Sequence, residues 1–199
     1  VKLLEQAASD GKTTLGIKPI ASGCENDIND DAVKLKAAST VDLPLNTINP
    51  FRFTNPIAPH IAAKQEGKNL DVKTISDAIK PLLNQADFTI VEGAGGLMVP
   101  LNDQETLVDL IQALDLPVLL VVGMKLGCIN HALLTRDAIV AYGLNLIGWV
   151  ANFIDPQMQV QSENLETLKS RLNCPLIAQI PYLSGDNAIE SASKCVKLD

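Results

Sequence analysis

The sequence predicts an α/β protein, built as a doubly wound, mostly parallel sheet flanked by helices. Two observations lead there. Short runs rich in Val, Ile and Leu occur at residues 15–18, 88–92, 118–122, 146–151 and 176–180, the pattern of strands buried on both faces. Apolar residues between several of these runs recur at helical spacing, and strands alternating with helices make parallel sheets.

In chain order, Val1, Leu3, Leu4, Ala7 and Ala8 read as a helix. An α/β domain ordinarily opens with a strand, so a first strand is expected ahead of Val1. Gly11-Lys12-Thr13 has the ending of a Walker A loop, but that pattern needs a glycine five positions earlier, where Gln6 stands, and a strand rather than a helix before it. Gly11 is instead expected to stop the helix and lead into the strand at 15–18. Asn29-Asp30-Asp31 precedes a helical stretch at 32–38 and suits an N-terminus. Val72, Ile75, Ile79 and Leu82 mark a further helix that Pro81 should kink or shorten, and Leu107, Leu110, Ile111 and Leu114 mark another. A helix beginning near Asn130 should end at Gly143. No internal repeat or low-complexity tract interrupts the series.

Composition narrows the function. A chain of 199 residues, 47% of them hydrophobic, can bury one sizeable core, so residues 1–199 are expected to form a single domain. The net charge is −7 with no Lys/Arg cluster, which argues against a nucleic-acid partner. The longest apolar run, 116–124, is broken by Pro117 and Gly123 and is too short to span a bilayer, so no membrane role is expected. Cys24, Cys128, Cys174 and Cys195 form no C-x-x-C pair, and the simplest setting is a reducing cytoplasm. An anion site in so acidic a chain must come from a few cations, backbone amides and a metal.

The chemistry concentrates at strand ends, where open α/β sheets bind ligands. Val91-Glu92-Gly93-Ala94-Gly95-Gly96 puts a carboxylate and three glycines after the strand at 88–92. Glycines let backbone N–H groups approach anionic oxygens, although such a turn also occurs for purely steric reasons. Lys18 and Ser22 bring a cation and a hydroxyl to the end of the strand at 15–18. Asp30 or Asp31, set opposite Glu92, could hold Mg²⁺, which favours oxygen ligands. Gly127-Cys128-Ile129-Asn130 opens a helix whose amides suit an anion, whereas the side chains of Cys128 and His131 read as ordinary packing and first-turn residues. Asn152 ends another strand and could hydrogen-bond a purine edge, while His60 has no evident partner and reads as structural.

Lys18-Pro19-Ile20-Ala21-Ser22-Gly23, Asn49-Pro50, Ala58-Pro59-His60, the 91–96 corner, Val121-Val122-Gly123-Met124-Lys125-Leu126-Gly127-Cys128-Ile129-Asn130-His131 and Gly148-Trp149-Val150-Ala151-Asn152 together closely resemble the dethiobiotin synthetase family, nearly end to end. The resemblance implies a P-loop NTPase fold and an enzyme that uses ATP, Mg²⁺ and CO₂ to close a ureido ring on 7,8-diaminononanoate. It also implies residue roles. Lys18 would stabilise carbamate and phosphoryl oxygens, Ser22 would hydrogen-bond the diamine or carbamate, and Asp31 and Glu92 would hold Mg²⁺. Gly93, Ala94 and Gly95 would line the phosphates, with Asn152, Phe153, Pro181, Tyr182 and Leu183 around the adenine. Gly127, Cys128, Ile129 and Asn130 would take the substrate carboxylate across a homodimer interface. The family's Walker A loop has no counterpart in these residues and is expected just upstream of Val1; a nucleotide role for Asp186 stays open. Two other readings stay open as well: an amidotransferase-type synthetase sharing the glycine corner, and a catalytically silent dimeric paralogue.

Overall fold

A computed structural model of the chain describes residues 1–182. These fall into two compact units, Leu3–Asp115 and the segment from Leu116 onward. The first runs α1 (Lys2–Ser9), β1 (Thr14–Ile17), β2 (Ile20–Ser22), α2 (Asp30–Ala37), α3 (Leu45–Ile48), β3 (Phe51–Phe53), α4 (Pro59–Gln65), α5 (Val72–Ile79), β4 (Phe88–Val91) and α6 (Leu107–Leu114). The second runs β5 (Val118–Met124), α7 (Cys128–Ala141), β6 (Leu146–Phe153), α8 (Gln161–Arg171) and β7 (Leu176–Ile180).

Every ladder between these strands is parallel. β1 pairs with β4 from Thr14 opposite Phe88 to Ile17 opposite Val91, and β2 pairs with β3 from Ile20 opposite Phe51 to Ser22 opposite Phe53. In the second unit β6 lies between β5 and β7. All five strands expected from the sequence form. β2 and β3 were not foreseen, because three residues are too few to show a period. The expected strand at 15–18 stops before Lys18, which leaves the ladder and turns toward the site.

Helix boundaries follow local chemistry. Beyond α1, Gly11 takes φ +83° while its N–H donates to Ala8 and that of Lys12 to Ala7, the left-handed stop expected there. Asn29, not an aspartate, caps α2: its Oδ1 accepts from the N–H groups of Asp31 and Ala32 at 3.1 and 3.2 Å. That leaves the Asp31 carboxylate uncommitted to the helix end. Pro81 ends α5, which gives way to a single 3₁₀ turn at Lys80–Leu82. Gly143, at φ +68°, follows α7 as expected.

The first core places α1 and α2 directly on β1. Leu4, Ala7, Leu15, Ile17, Ala32 and Leu35 are buried, and a Cβ built on Gly16 would stand 2.8 Å from Leu4 Cδ1 and 2.9 Å from Leu35 Cβ. Only glycine permits that approach. In the second unit Trp149 is fully buried among Val122, Met124, Ala132, Leu165 and Leu168, so β5, β6, α7 and α8 share one core.

A polar clasp fixes the opposite end of the β1–β4 pair. Asp87 Oδ2 accepts from the Thr13 hydroxyl at 2.7 Å and the Thr13 N–H at 2.9 Å, and Thr13 Oγ1 accepts the Asp87 N–H. These bonds, led by that from the hydroxyl, hold the Asp87 carboxyl below its ordinary range. A carboxyl more acidic in the folded than in the unfolded chain stabilises above the ordinary carboxylate range, and the benefit disappears as pH falls through its lowered value. Asp87→Asn should therefore lower the urea midpoint at pH 7 and make little difference near about pH 2. Equal losses at both pH values would contradict this.

Candidate active site

Strand ends set the positions of the charged groups. Lys18 follows β1 directly, Glu92 follows β4, and the register that pairs Ile17 with Val91 brings the two together. Lys18 Nζ donates to Glu92 Oε1 at 2.6 Å, to the Gly93 carbonyl at 3.1 Å and to Asp31 Oδ2 at 3.3 Å. The lysine side chain is only 8% exposed, whereas those of Asp31 and Glu92 are 53% and 43% exposed. The ammonium is thus sealed from below while both carboxylates stay open to solvent.

That asymmetry has chemical consequences. A buried ammonium is tolerable only when paired and hydrogen-bonded, and here three oxygens meet that need. The open carboxylate oxygens suit a hard divalent cation, since Mg²⁺ is commonly held by one or two carboxylates together with phosphate oxygens. The predicted trio of Lys18, Asp31 and Glu92 is therefore one cluster. Ser22, at the end of β2, has its Oγ buried with no hydrogen-bond partner among the described residues, leaving a donor and acceptor for a ligand.

The glycine corner after Glu92 has a steric basis. Gly95 takes φ +82°, and a Cβ there would meet Val99 Cγ2 at 2.8 Å. Gly93, Gly95 and Gly96 are exposed, so their backbone faces solvent. Gly96 has no neighbour within 4 Å of a built Cβ.

The second unit carries the remaining predicted residues. Gly127, at φ +90°, is the N-cap of α7, and no side chain caps the helix. The Cys128 N–H is taken by the Lys125 carbonyl; the next two amides, those of Ile129 and Asn130, belong to the first turn, where an α-helix supplies no acceptor. They are the amides available to an anion. The Cys128 side chain is buried in the core, as expected from its reading as a small apolar residue. Burial also pushes the Cys24 and Cys174 thiols up, which keeps both protonated.

At the carboxyl end of β6, Asn152 is in register with Gly123 on one side and Ile180 on the other. Phe153, Pro156, Gln161, Gln179, Pro181 and Tyr182 line an open cleft of about 630 Å³ beside it. Three of the expected adenine residues, Phe153, Pro181 and Tyr182, therefore gather in one place. Leu183 and Asp186 lie outside the described residues. Gln161 and Gln179 escaped sequence reading because they are a helix-start and a mid-strand glutamine with no motif around them; only folding sets them beside an aromatic wall. His60 lies in α4, with Nδ1 buried and without a hydrogen-bond partner among the described residues.

Comparison with known proteins places this geometry in a lineage. A family described as an AAA domain matches residues 2–188. The ATP-dependent dethiobiotin synthetase of Nitrosospira multiformis is 51% identical over 191 residues, 96% of this chain and 84% of the relative, and that of Aromatoleum aromaticum is 48% identical over 195 residues, 96% and 87%. The chain belongs to the dethiobiotin synthetase family. Among solved structures, the MinC:MinD cell division complex of Aquifex aeolicus (TM-score 0.52, 14% identity, 97% of this chain and 79% of that one) and chloroplast FtsY of Physcomitrella patens (TM-score 0.50, 13% identity, 100% and 56%) share the fold. The likeness to them is one of architecture alone.

Two of the corner glycines, Gly95 and Gly96, separate steric need from tolerance. Gly95→Ala should cost about 1–3 kcal/mol of folding stability, from left-handed strain and overpacking against Val99. Gly96→Ala should change it by less than about 0.5 kcal/mol. Chemical denaturation of the two variants would show the contrast, and equal effects would remove the steric account.

Proposed function

We propose that this ATP-dependent ligase forms dethiobiotin from 7,8-diaminononanoate and CO₂, with Lys18 as its central catalytic residue. The observation that carries the reading is the Lys18–Glu92–Asp31 cluster, a buried cation beneath two open carboxylates at a parallel strand edge, in a chain about half identical to known synthetases of this product.

The chemistry accounts for the residues. One amine of the diamine adds to CO₂, forming an N–C bond and losing a proton to give a carbamate. A carbamate oxygen attacks the γ-phosphorus of ATP and ADP departs. The second amine attacks the carbonyl carbon of the resulting anhydride, and phosphate leaves as the ring closes. Each stage gathers negative charge on oxygen, so the protein's task is positioning and electrostatic stabilisation. Lys18 Nζ, already held by two carboxylates and a carbonyl, is preorganised to meet those oxygens. Ser22 Oγ hydrogen-bonds the diamine or its carbamate. Backbone N–H groups of Gly93, Ala94 and Gly95 line the phosphates, Asn152 reads the adenine edge, and Phe153, Pro181 and Tyr182 flank the ring. Asp31 and Glu92 would hold Mg²⁺, which when bound neutralises phosphoryl oxygens. The amides of Ile129 and Asn130, with Gly127 and Cys128, take the substrate carboxylate across a homodimer interface. The enzyme works in the cytoplasm on small molecules, without nucleic acid or membrane.

Full-length protein should release phosphate from ATP only when Mg²⁺, the diamine and bicarbonate are all present, as read by a phosphate assay with mass-spectrometric detection of product. Absence of diamine-stimulated turnover would end this reading. Lys18→Ala should lower kcat by about 10²- to 10³-fold with the fold retained by circular dichroism; unchanged kinetics would remove Lys18 from the mechanism.

A further inference from the structure

Lys18 is held by its backbone as firmly as by its side chain. Its N–H donates to the Ile48 carbonyl at 2.9 Å, and its carbonyl accepts from Asn49 Nδ2 at 2.6 Å. The next residue, Pro19, continues the same seam, its carbonyl accepting from the Phe51 N–H at 3.1 Å. The segment that leads from α3 into β3 therefore grips the turn by which the chain leaves β1. Asn49 is the one side chain in that grip, and it is fully buried.

A buried amide is a poor choice for packing alone. An unmatched polar atom carries a desolvation penalty that a similar apolar residue would avoid, and Asn49 Oδ1 has no partner among the described residues. What the amide provides is a donor for a buried carbonyl at the residue whose ammonium serves the site.

The grip extends to the other arm of the cluster. The Asn49 carbonyl accepts from Arg52 Nη1, and Arg52 Nη2 pairs with Asp27 Oδ2 at 2.7 Å. Asp27, at φ +64°, lies inside the Glu25–Ile28 turn, just before Asn29 caps the helix that carries Asp31. One chain of hydrogen bonds thus joins the backbone of Lys18 to the approach to Asp31.

We propose that Asn49 is a positioning residue for Lys18, with Arg52 as its buttress, setting the ammonium at the height where it meets both carboxylates. The inference rests on the role given to Lys18 above. It places Asn49 outside the reacting groups, since its Nδ2 donates to the Lys18 backbone carbonyl. Loss of the Nδ2 donor would release the Lys18 carbonyl, loosen the turn and let the ammonium leave its buried seat.

Trace acylation with acetic anhydride, read by peptide mass spectrometry on the full-length protein, reports the exposure of the Lys18 amine independently of turnover. Lys73, whose side chain is 86% exposed, is the internal reference. In Asn49→Ala the Lys18-to-Lys73 labelling ratio should rise several-fold, and kcat should fall by about 10²-fold, the usual effect of an ångström-scale misplacement, with KM for ATP unchanged. An unchanged ratio, or a raised ratio with kcat intact, would overturn the proposal, as would a lower melting temperature with both quantities unmoved. If Asn49→Ala does not fold, Arg52→Gln decides: the same rise in ratio, smaller in size, supports the brace and no rise overturns it. Wild-type protein without diamine-stimulated turnover would refute the proposed function, while the labelling ratio would still decide whether Asn49 seats Lys18.

Discussion

The buried ammonium of Lys18 is the constraint on which the first unit is organised. A cation removed from water must find oxygen partners, and it finds them only if β1 and β4 are in one register and α2 starts at one residue. Shift β4 by one position and Glu92 turns to the other face. Start α2 elsewhere and Asp31 loses its place. Gly16 serves the same end, since α1 and α2 can press onto β1 only where a Cβ is missing.

Charge is handled locally throughout. With a net charge of −7 the chain repels anions at long range, yet the ligand proposed for it is rich in phosphate and carboxylate. The structure offers short-range attraction instead: the buried Lys18, a glycine corner and a helix start that no side chain caps. Backbone dipoles of this kind are fixed by folding and need no reorganisation when charge develops. That suits a reaction in which each stage builds negative charge on oxygen.

Much of this was legible because the signals are local. The runs at 88–92 and 176–180 show as strands in composition alone, and Gly11 and Gly143 mark helix stops by conformation. Asn29 shows the limit of such reading. Asn29-Asp30-Asp31 reads as a helix start, but which of the three is the cap does not show in the sequence; the structure makes it the asparagine, and Asp31 is thereby left for the site. β2 and β3 were invisible because three-residue strands have no readable period. Their pairing nevertheless aligns the seam that holds Lys18.

The sequence by itself determined the parallel α/β plan, the chemistry-bearing residues at strand ends and the family, because these depend on residue type, local spacing and motif. It could not show that the Lys18 ammonium is buried while Asp31 and Glu92 stay open, that Asn49 closes on the Lys18 carbonyl, or that Gln161 and Gln179 stand beside Phe153 and Tyr182. Those relations join residues up to 74 positions apart. Strand register and core packing decide them, and no local pattern in the chain encodes either.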